Sequence, residues 1–301
     1  MLKLATFNIY WLGNDRFTEM SDPALEPRGE ADWLSIARVI SKVNADVIVF
    51  EEIVSLDELQ SVLDLTHDLV GRRYEIHNKQ GQVLGTGKPN DQKVVIAYDS
   101  EKFDLTAASA ISGGQGRLPY GVRLRRKNQA GEILVIGVHF KSGQPAFDDE
   151  SSAVKRAHQC QHLADWVAGL KADDNQILPK PNVEENIAVL GDFNAICRLE
   201  PGQPANWKII VDSLNALRNA PMNDWSWEIP AADPNGGDRS TSYIEQLLID
   251  FIMLSPSLKE KVITPPTIYA FDRDPEITGP ATQPLEYRVS DHRPVYVELD
   301  L

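Results

Sequence analysis

The sequence predicts one α/β domain spanning residues 1–301. Two observations carry that prediction. Short apolar runs of strand character alternate with amphipathic helical stretches from one end of the chain to the other, and such interleaving favours an α/β architecture. Loops rich in Pro, Gly and Asp at 14–30, 79–92, 171–186, 220–242 and 272–288 are spread evenly and gather into no linker. A chain of 301 residues with 42% hydrophobic and 25% charged residues is an ordinary globular composition with enough material for a large core.

Each element follows from local pattern. Leu2 to Tyr10 alternates and reads as a strand. Trp33, Ile36, Ile40 and Val43 fall at helical spacing, and Asp32 stands where a cap is needed, so a helix is expected over 32–43. Asp46 to Phe50 reads as a buried strand running into Glu51-Glu52, and Leu56 to Val70 as a second helix. Lys93 to Tyr98, Gly121 to Arg126 and Ile133 to Phe140 read as strands, the last two joined by the turn Lys127-Asn128-Gln129-Ala130-Gly131. Ser152 to Leu170 is amphipathic, Ile187 to Leu190 is a short buried strand, and Ile209 to Leu217 has helical character. Leu247 to Leu254 and Val295 to Leu299 complete the strands.

Polar residues cluster at the ends of these strands. Gly191-Asp192-Phe193-Asn194-Ala195 follows the Ile187 strand, and the period-two rule puts Asp192 and Asn194 on one side of it. Thr6-Phe7-Asn8, Glu51-Glu52, Val138-His139-Phe140-Lys141 and Ser290-Asp291-His292 repeat the arrangement. Alternation lets only one of Glu51 and Glu52 face a shared site. A phosphodiester resists attack because its negative charge repels nucleophiles, so a catalyst must neutralise that charge, activate water and protonate the leaving oxygen. The amide of Asn8 beside the carboxylates of Glu52 and Asp291 is an oxygen-rich set of the kind Mg²⁺ prefers, with Mn²⁺ as a substitute. His139 and His292 are two of only six histidines and can exchange protons near neutral pH. Asp250 interrupts the apolar run Leu247 to Leu254, where a carboxylate is costly without a partner. It suits holding a histidine in one tautomer, or else an edge strand facing water.

The ordered set Asn8, Glu52, His139, Asp192 with Asn194, Asp250, and Asp291 with His292 resembles the endonuclease/exonuclease/phosphatase superfamily, the DNase-I-like fold, from Thr6 to Val297. The resemblance implies a four-layer α-β-β-α sandwich of two mainly antiparallel sheets flanked by helices, with the catalytic groups at one end. It assigns Asn8, Glu52 and Asp291 to the metal, and Asp192 and Asn194 to the attacking water. His292, held by Asp250, and His139 fall to the scissile phosphate and its protons. Arg117-Leu118-Pro119 is similar to an Arg-x-Pro segment set against phosphate, and Lys141 and Ser290 are candidate phosphate contacts. Family members often carry Gln-Glu where this chain has Glu51-Glu52, a change that adds charge near the metal.

The implied activity is a divalent-metal-dependent phosphodiester hydrolase, foremost a nuclease on DNA or RNA. The alternatives are an enzyme for a small or lipid-derived phosphoester, such as an inositol phosphate or sphingomyelin, and, more remotely, a non-catalytic binding module on the same fold. Trp225-Ser226-Trp227 is suited to stacking a base, touching lipid or packing inward. Cys160 and Cys197 have no metal-type spacing, so free thiols are expected, with a single disulfide as the alternative. No leader-like or membrane-spanning run is seen, which makes a cytoplasmic protein without membrane insertion or an obligate protein partner the expectation.

The balance of 30 basic against 44 acidic residues gives a net charge of −14 and argues against a broad basic footprint for long nucleic acid. Nucleic acid should therefore be held only locally. DNA binding should be weak with a shallow salt dependence; tight binding with a steep slope in a salt titration would reveal a basic surface hidden by the overall composition.

Overall fold

The computed structural model describes residues 1–13, 27–77, 92–111, 118–142, 150–167, 185–198, 225–227, 230–236, 238–279 and 284–301, with 150–153, 195–198 and 226–227 described by their backbone. In chain order the elements are β1 (Leu2–Leu12), α1 (Glu30–Val43), β2 (Val47–Ile53), α2 (Leu56–Val70), β3 (Tyr74–His77), β4 (Lys93–Asp99), β5 (Phe103–Ala110), β6 (Tyr120–Arg126), β7 (Glu132–His139), α3 (Glu150–Val167), β8 (Asn186–Arg198), β9 (Ser226–Trp227), β10 (Leu247–Leu254), α4 (Pro256–Lys259), β11 (Val262–Ile268), α5 (Pro275–Thr278), α6 (Leu285–Arg288) and β12 (Val295–Leu299). They build two six-stranded sheets, ordered β11-β12-β1-β2-β4-β3 and β5-β6-β7-β8-β10-β9. Each sheet is antiparallel except for one central parallel pair, β1 with β2 and β7 with β8.

Side-chain alternation makes the layers. In β1, Leu2 and Leu4 enter the core between the sheets, whereas Ala5, Phe7 and Ile9 pack against α1 and α2. In β2, Val47 and Val49 face inward while Ile48 and Phe50 meet the helices. Cys160, Leu163 and Trp166 of α3 join the core of the second sheet. Gly137 of β7 lets the sheets approach closely, because a Cβ there would come 2.6 Å from Val94 and 2.7 Å from Val49. The α/β sandwich expected from the sequence is thus the observed one.

The helix ends differ slightly from expectation. Helix α1 begins at Glu30 rather than at Asp32, and Asp32 caps it from the third position by accepting the Gly29 N–H at 3.0 Å. Ser55 caps α2 by accepting the Glu58 N–H at 3.2 Å, and Gly71 ends it in the left-handed conformation. The eight strands legible in the sequence are the interior ones. The four that were not, β3, β5, β9 and β11, are the four sheet edges. The helical stretch at 209–217 lies outside the described residues. Cys160 is a free, buried thiol. Among the described residues, no helix is long and apolar enough to cross a membrane.

The parallel pairs point their carboxyl ends the same way, and the opposite pole is closed by ions. Arg72 binds Asp46 and Asp99, and Lys102 also binds Asp46. Burial alone would raise the Asp46 pKa, but hydrogen bonds from Lys102, the Lys3 N–H and Arg72 outweigh it and hold the carboxyl below its ordinary value. A carboxylate with a depressed folded pKa stabilises above its unfolded pKa and loses that contribution as pH falls through the folded one. Asp46→Asn should therefore cost about 2 kcal/mol at neutral pH, with the difference from wild type closing below about pH 4, as read from denaturant melts at several pH values.

Candidate active site

The carboxyl ends of the two parallel pairs meet between the sheets, where open α/β sheets bring ligands. Register fixes who meets whom. Asn8 lies opposite Glu51 across β1 and β2. His139 lies opposite Asp192, and Asp192 opposite Asp250, so one row crosses β7, β8 and β10. Residues on one row of neighbouring strands share a face. His139, Asp192 and Asp250 therefore project together, toward Asn8.

Asp192 is the hub. One oxygen accepts the Asn194 N–H at 2.8 Å, and the other accepts the Asn8 side-chain amide at 3.2 Å. His139 Nε2 lies 3.6 Å from Asp192 and 3.7 Å from Glu52, and the Asn8 amide also reaches Glu52 at 3.4 Å. Asn194 donates its own side-chain amide to the Phe140 carbonyl at 3.1 Å, tying the end of β8 to the segment after β7. Behind this row, Phe193 packs edge-on against Phe140 and Phe251, with ring centroids 5.4 and 5.9 Å away. Gly191 has φ +147°, and a Cβ there would lie 2.0 Å from the Val138 carbonyl oxygen. Only glycine permits that approach.

His292 donates from Nδ1 to Asp250 at 2.8 Å, which fixes the ring and leaves Nε2 3.9 Å from Asp291. Asp250 is 1% exposed and lies on an interior strand, so the histidine-holding role replaces the water-facing alternative. Burial would lower the His292 pKa, yet Asp250, Asp291 and Asp192 push it well above the ordinary value. Asp192 moves the other way: burial, and then the charge of Asp250, raise its carboxyl to about 8. Asp291 is likewise raised, chiefly by burial. One element thus carries a stable imidazolium while its neighbour is a carboxyl that binds a proton unusually well.

Glu51 and Glu52 correct the alternation rule. Glu51 is the inward residue by register, is fully buried, and accepts the Thr6 hydroxyl at 2.6 Å. Glu52 would face the helices, but its backbone is left-handed at φ 60° and the chain turns it back toward Asn8. Both carboxyls therefore belong to the site. Burial, reinforced by Asp250 and Asp192, holds Glu51 well above the carboxylate range. Tyr10, Trp11 and Asn194 share the left-handed backbone, at φ 36°, 58° and 49°; such strain collects where function over-determines the chain.

The remaining candidates divide. Ser290 donates to the Asn8 carbonyl at 2.6 Å and accepts the His292 N–H at 3.0 Å. Its buried hydroxyl joins two segments instead of lying open to phosphate as expected. Lys141 is exposed, with its ammonium on the Ser142 carbonyl at 2.7 Å. Arg117 lies outside the described residues. Trp225 is buried in the core, and the Trp227 side chain lies outside what is described. Sequence pattern missed the residues that grip backbone. Gln159 accepts the Lys141 N–H at 2.9 Å and Arg156 donates to the Lys141 carbonyl at 3.1 Å, both from α3. Thr241 accepts the Asp250 N–H at 3.1 Å. Only a cation and an amide three residues apart in an otherwise amphipathic helix hinted at the first pair.

These residues fit a divalent cation. Carboxylate oxygens of Asp192 and Asp250 lie within 4.8 Å of each other, and Glu52 and Asp192 both meet the Asn8 side-chain amide. Buried oxygens of Glu51, Asp250 and Asp291 have no hydrogen-bond partner among the described residues. A buried cluster of oxygens with unmet capacity is the donor set a hard cation takes.

Comparison with known proteins bears on the fold. Residues 5–292 match the family model described as Endonuclease/Exonuclease/phosphatase family. No curated protein sequence gives a significant match. Among solved structures, the chain is similar to an endonuclease/exonuclease/phosphatase family protein of Bacteroides thetaiotaomicron, with TM-score 0.59 and 16% identity over 100% of this chain and 98% of that one. It is also similar to a mannosyl-6-phosphatase of the same species, with TM-score 0.56, 17% identity and 100% of each chain covered. The human Nocturnin catalytic domain gives TM-score 0.58 and 13% identity over 98% of this chain and 93% of that one. At these identities the likeness is one of fold.

A carboxyl whose folded pKa is raised stabilises at low pH and loses that contribution as pH climbs through the folded value, here about 8 for Asp192. The cation-free protein should therefore weaken progressively between about pH 4, the ordinary carboxyl range, and about pH 8. Asp192→Asn should lessen that slope, to which Glu51, Asp291 and His292 also contribute, and raise the melting temperature by about 2–4 °C, while turnover falls by about 10²–10⁴-fold. Melting curves across the pH range, paired with rate measurements, check both effects.

Proposed function

The chain belongs to the endonuclease/exonuclease/phosphatase family, and from that premise we propose that it is a divalent-metal-dependent phosphodiester hydrolase, foremost a nuclease acting on DNA or RNA. The observation that carries this is the meeting of Asn8, Glu52, His139, Asp192, Asn194, Asp250 and His292 in one largely buried cluster.

Asn8, Glu52 and Asp291 would hold Mg²⁺, with Mn²⁺ as a substitute. When bound, the cation neutralises charge on a phosphate oxygen. Asp192, whose carboxyl binds a proton avidly once buried, orients the attacking water and receives its proton as the new oxygen–phosphorus bond forms. Asn194 positions that water and the phosphate. His292, charged and fixed by Asp250, and His139 stabilise the extra negative charge and supply a proton as the old phosphorus–oxygen bond breaks. Arg117 and Lys141 would steady the phosphate. A small phosphoester is the second reading, supported by the net charge of −14, which opposes approach of a long polyanion.

Plasmid DNA, RNA, bis-p-nitrophenyl phosphate, an inositol phosphate and sphingomyelin, each assayed with Mg²⁺, Mn²⁺ or EDTA, test the proposal. Turnover should require the cation and disappear with EDTA, and Glu52→Gln should weaken cation dependence more than folding. Full turnover by metal-stripped protein would overturn it.

A further inference from the structure

The strands that carry Asp192 and Asp250 lose register beside the site. Leu248 pairs with Cys197, yet the next pair is Asp250 with Asp192. Residues 248 to 250 of β10 thus face residues 197 to 192 of β8, and the surplus chain of β8 includes Asn194 with its left-handed φ of 49°. Bulges of this kind bend a strand and re-aim its side chains. The effect on β10 shows in its donors. In a regular strand consecutive N–H groups point to opposite sides. Here those of Ile249 and Asp250 converge on one acceptor, the Thr241 hydroxyl, at 3.0 and 3.1 Å.

Thr241 is fully buried and opens a short segment, 241–243, that stands between two chemical partners. On one side it is tied to β10. The Thr241 N–H donates to the Leu247 carbonyl at 2.9 Å, and Ser242 and Leu247 exchange N–H groups and carbonyls at 2.9 and 3.0 Å. On its other side the segment holds the histidine. Ser242 forms a bridge with His292. The Arg293 N–H donates to the Thr241 carbonyl at 2.7 Å, and the Tyr243 N–H to the Asp291 carbonyl at 3.1 Å. The Tyr243 hydroxyl donates to the Ser290 carbonyl at 2.8 Å. The Arg293 guanidinium closes the bracket by donating to the Ser240 carbonyl at 2.9 Å and lying 5.5 Å from the Tyr243 ring centroid. The 2.8 Å contact between His292 Nδ1 and Asp250 is made across this bracket. Of all these ties, the Thr241 hydroxyl alone bonds Asp250 itself.

We propose that Thr241 is the positioning residue of the His292–Asp250 pair. Its hydroxyl fixes the bulged backbone at Ile249 and Asp250, and so sets the distance and angle at which the carboxylate meets Nδ1. This deepens the hydrolase reading, on which its kinetic consequence rests. Thr241 acts on turnover only through His292.

Two readouts on full-length protein test this. Thr241→Val keeps the shape of the side chain but leaves two buried N–H groups without their acceptor; Thr241→Ser keeps the hydroxyl. With bis-p-nitrophenyl phosphate and Mg²⁺, kcat should fall about 10²-fold in Thr241→Val, the scale of a small misplacement in a catalytic pair, with KM little changed. Thr241→Ser should recover most of the loss. Asp46→Asn, which weakens the opposite pole, should keep wild-type kcat and so separates lost stability from lost positioning. Without substrate, the His292 Nδ1 proton should give a low-field NMR signal, assigned by its loss in His292→Gln. That signal should shift or vanish in Thr241→Val and persist in Thr241→Ser and Asp46→Asn. If Thr241→Val does not fold, Thr241→Cys, with its weaker acceptor, should show the same changes in smaller measure. Wild-type kcat in Thr241→Val, or an equal loss in Asp46→Asn, would overturn the proposal. Loss of the Nδ1 signal in Thr241→Val, with no phosphoester hydrolysed by wild type, would overturn the hydrolase reading and leave the positioning role standing. Hydrolysis with an Nδ1 signal unmoved in Thr241→Val would do the reverse.

Discussion

Glu51, Asp192 and Asp250 are 0%, 2% and 1% exposed, and their removal from water into one small space is the constraint on which the candidate active site depends. Like charges in a low-dielectric site cannot all ionise freely, so protons or cations must enter with them. His292 answers part of this demand as an imidazolium held by Asp250. The raised pKa values of Asp192 and Glu51 answer another part. The oxygens of Asp250, Asp291 and Glu51 that have no hydrogen-bond partner among the described residues are the physical reason that this pole suits a divalent cation. Stability is given up there and regained elsewhere, including the ion network of Arg72, Asp46, Asp99 and Lys102 at the other pole.

Holding such a cluster requires rigid backbone where the strands run out. Strand ladders cannot supply it, because left-handed residues at Tyr10, Trp11, Glu52 and Asn194 interrupt them. Side chains take over the work. Ser290 bridges the Asn8 carbonyl and the His292 N–H, and Thr241 accepts from the Ile249 and Asp250 N–H groups. Arg293, directly after His292, binds Asp272 through two nitrogens and Asp238 through a third contact. Each tie satisfies a backbone or charged group that burial would otherwise leave costly. The aromatic contacts of Phe193 with Phe140 and Phe251 make the same region stiff from behind.

Interior strands and edge strands were not equally legible. The runs at Val47 to Phe50 and Leu247 to Leu254 are covered on both faces and read clearly as apolar segments. Strand β3 has four residues and β9 two, too short to show a period. Strand β5 is Phe-Asp-Leu-Thr-Ala-Ala-Ser-Ala, mostly half-exposed. Strand β11 contains Pro265 and Pro266, which only an edge tolerates. An edge strand is chosen by its neighbour's free hydrogen-bonding groups rather than by its own hydrophobic pattern, so its sequence carries little signal.

By itself, the sequence determined the interior strands, the two long helices before β4, and the identity of the polar groups at the strand ends. Those follow from alternation, helical spacing and a handful of costly buried polar residues, all of which are local. Tertiary structure decided that Glu51 joins Glu52 in the site, that Ser290 ties segments instead of meeting phosphate, and that the segment 241–243 stands between Asp250 and His292. In each case the deciding partner lies far along the chain: the Ser290 hydroxyl reaches the Asn8 carbonyl across a separation of 282 residues, and the Tyr243 hydroxyl reaches the Ser290 carbonyl across 47. A local pattern can say that a strand ends in a carboxylate, but only the packing of two sheets says what charge, carbonyl or ring will stand opposite it.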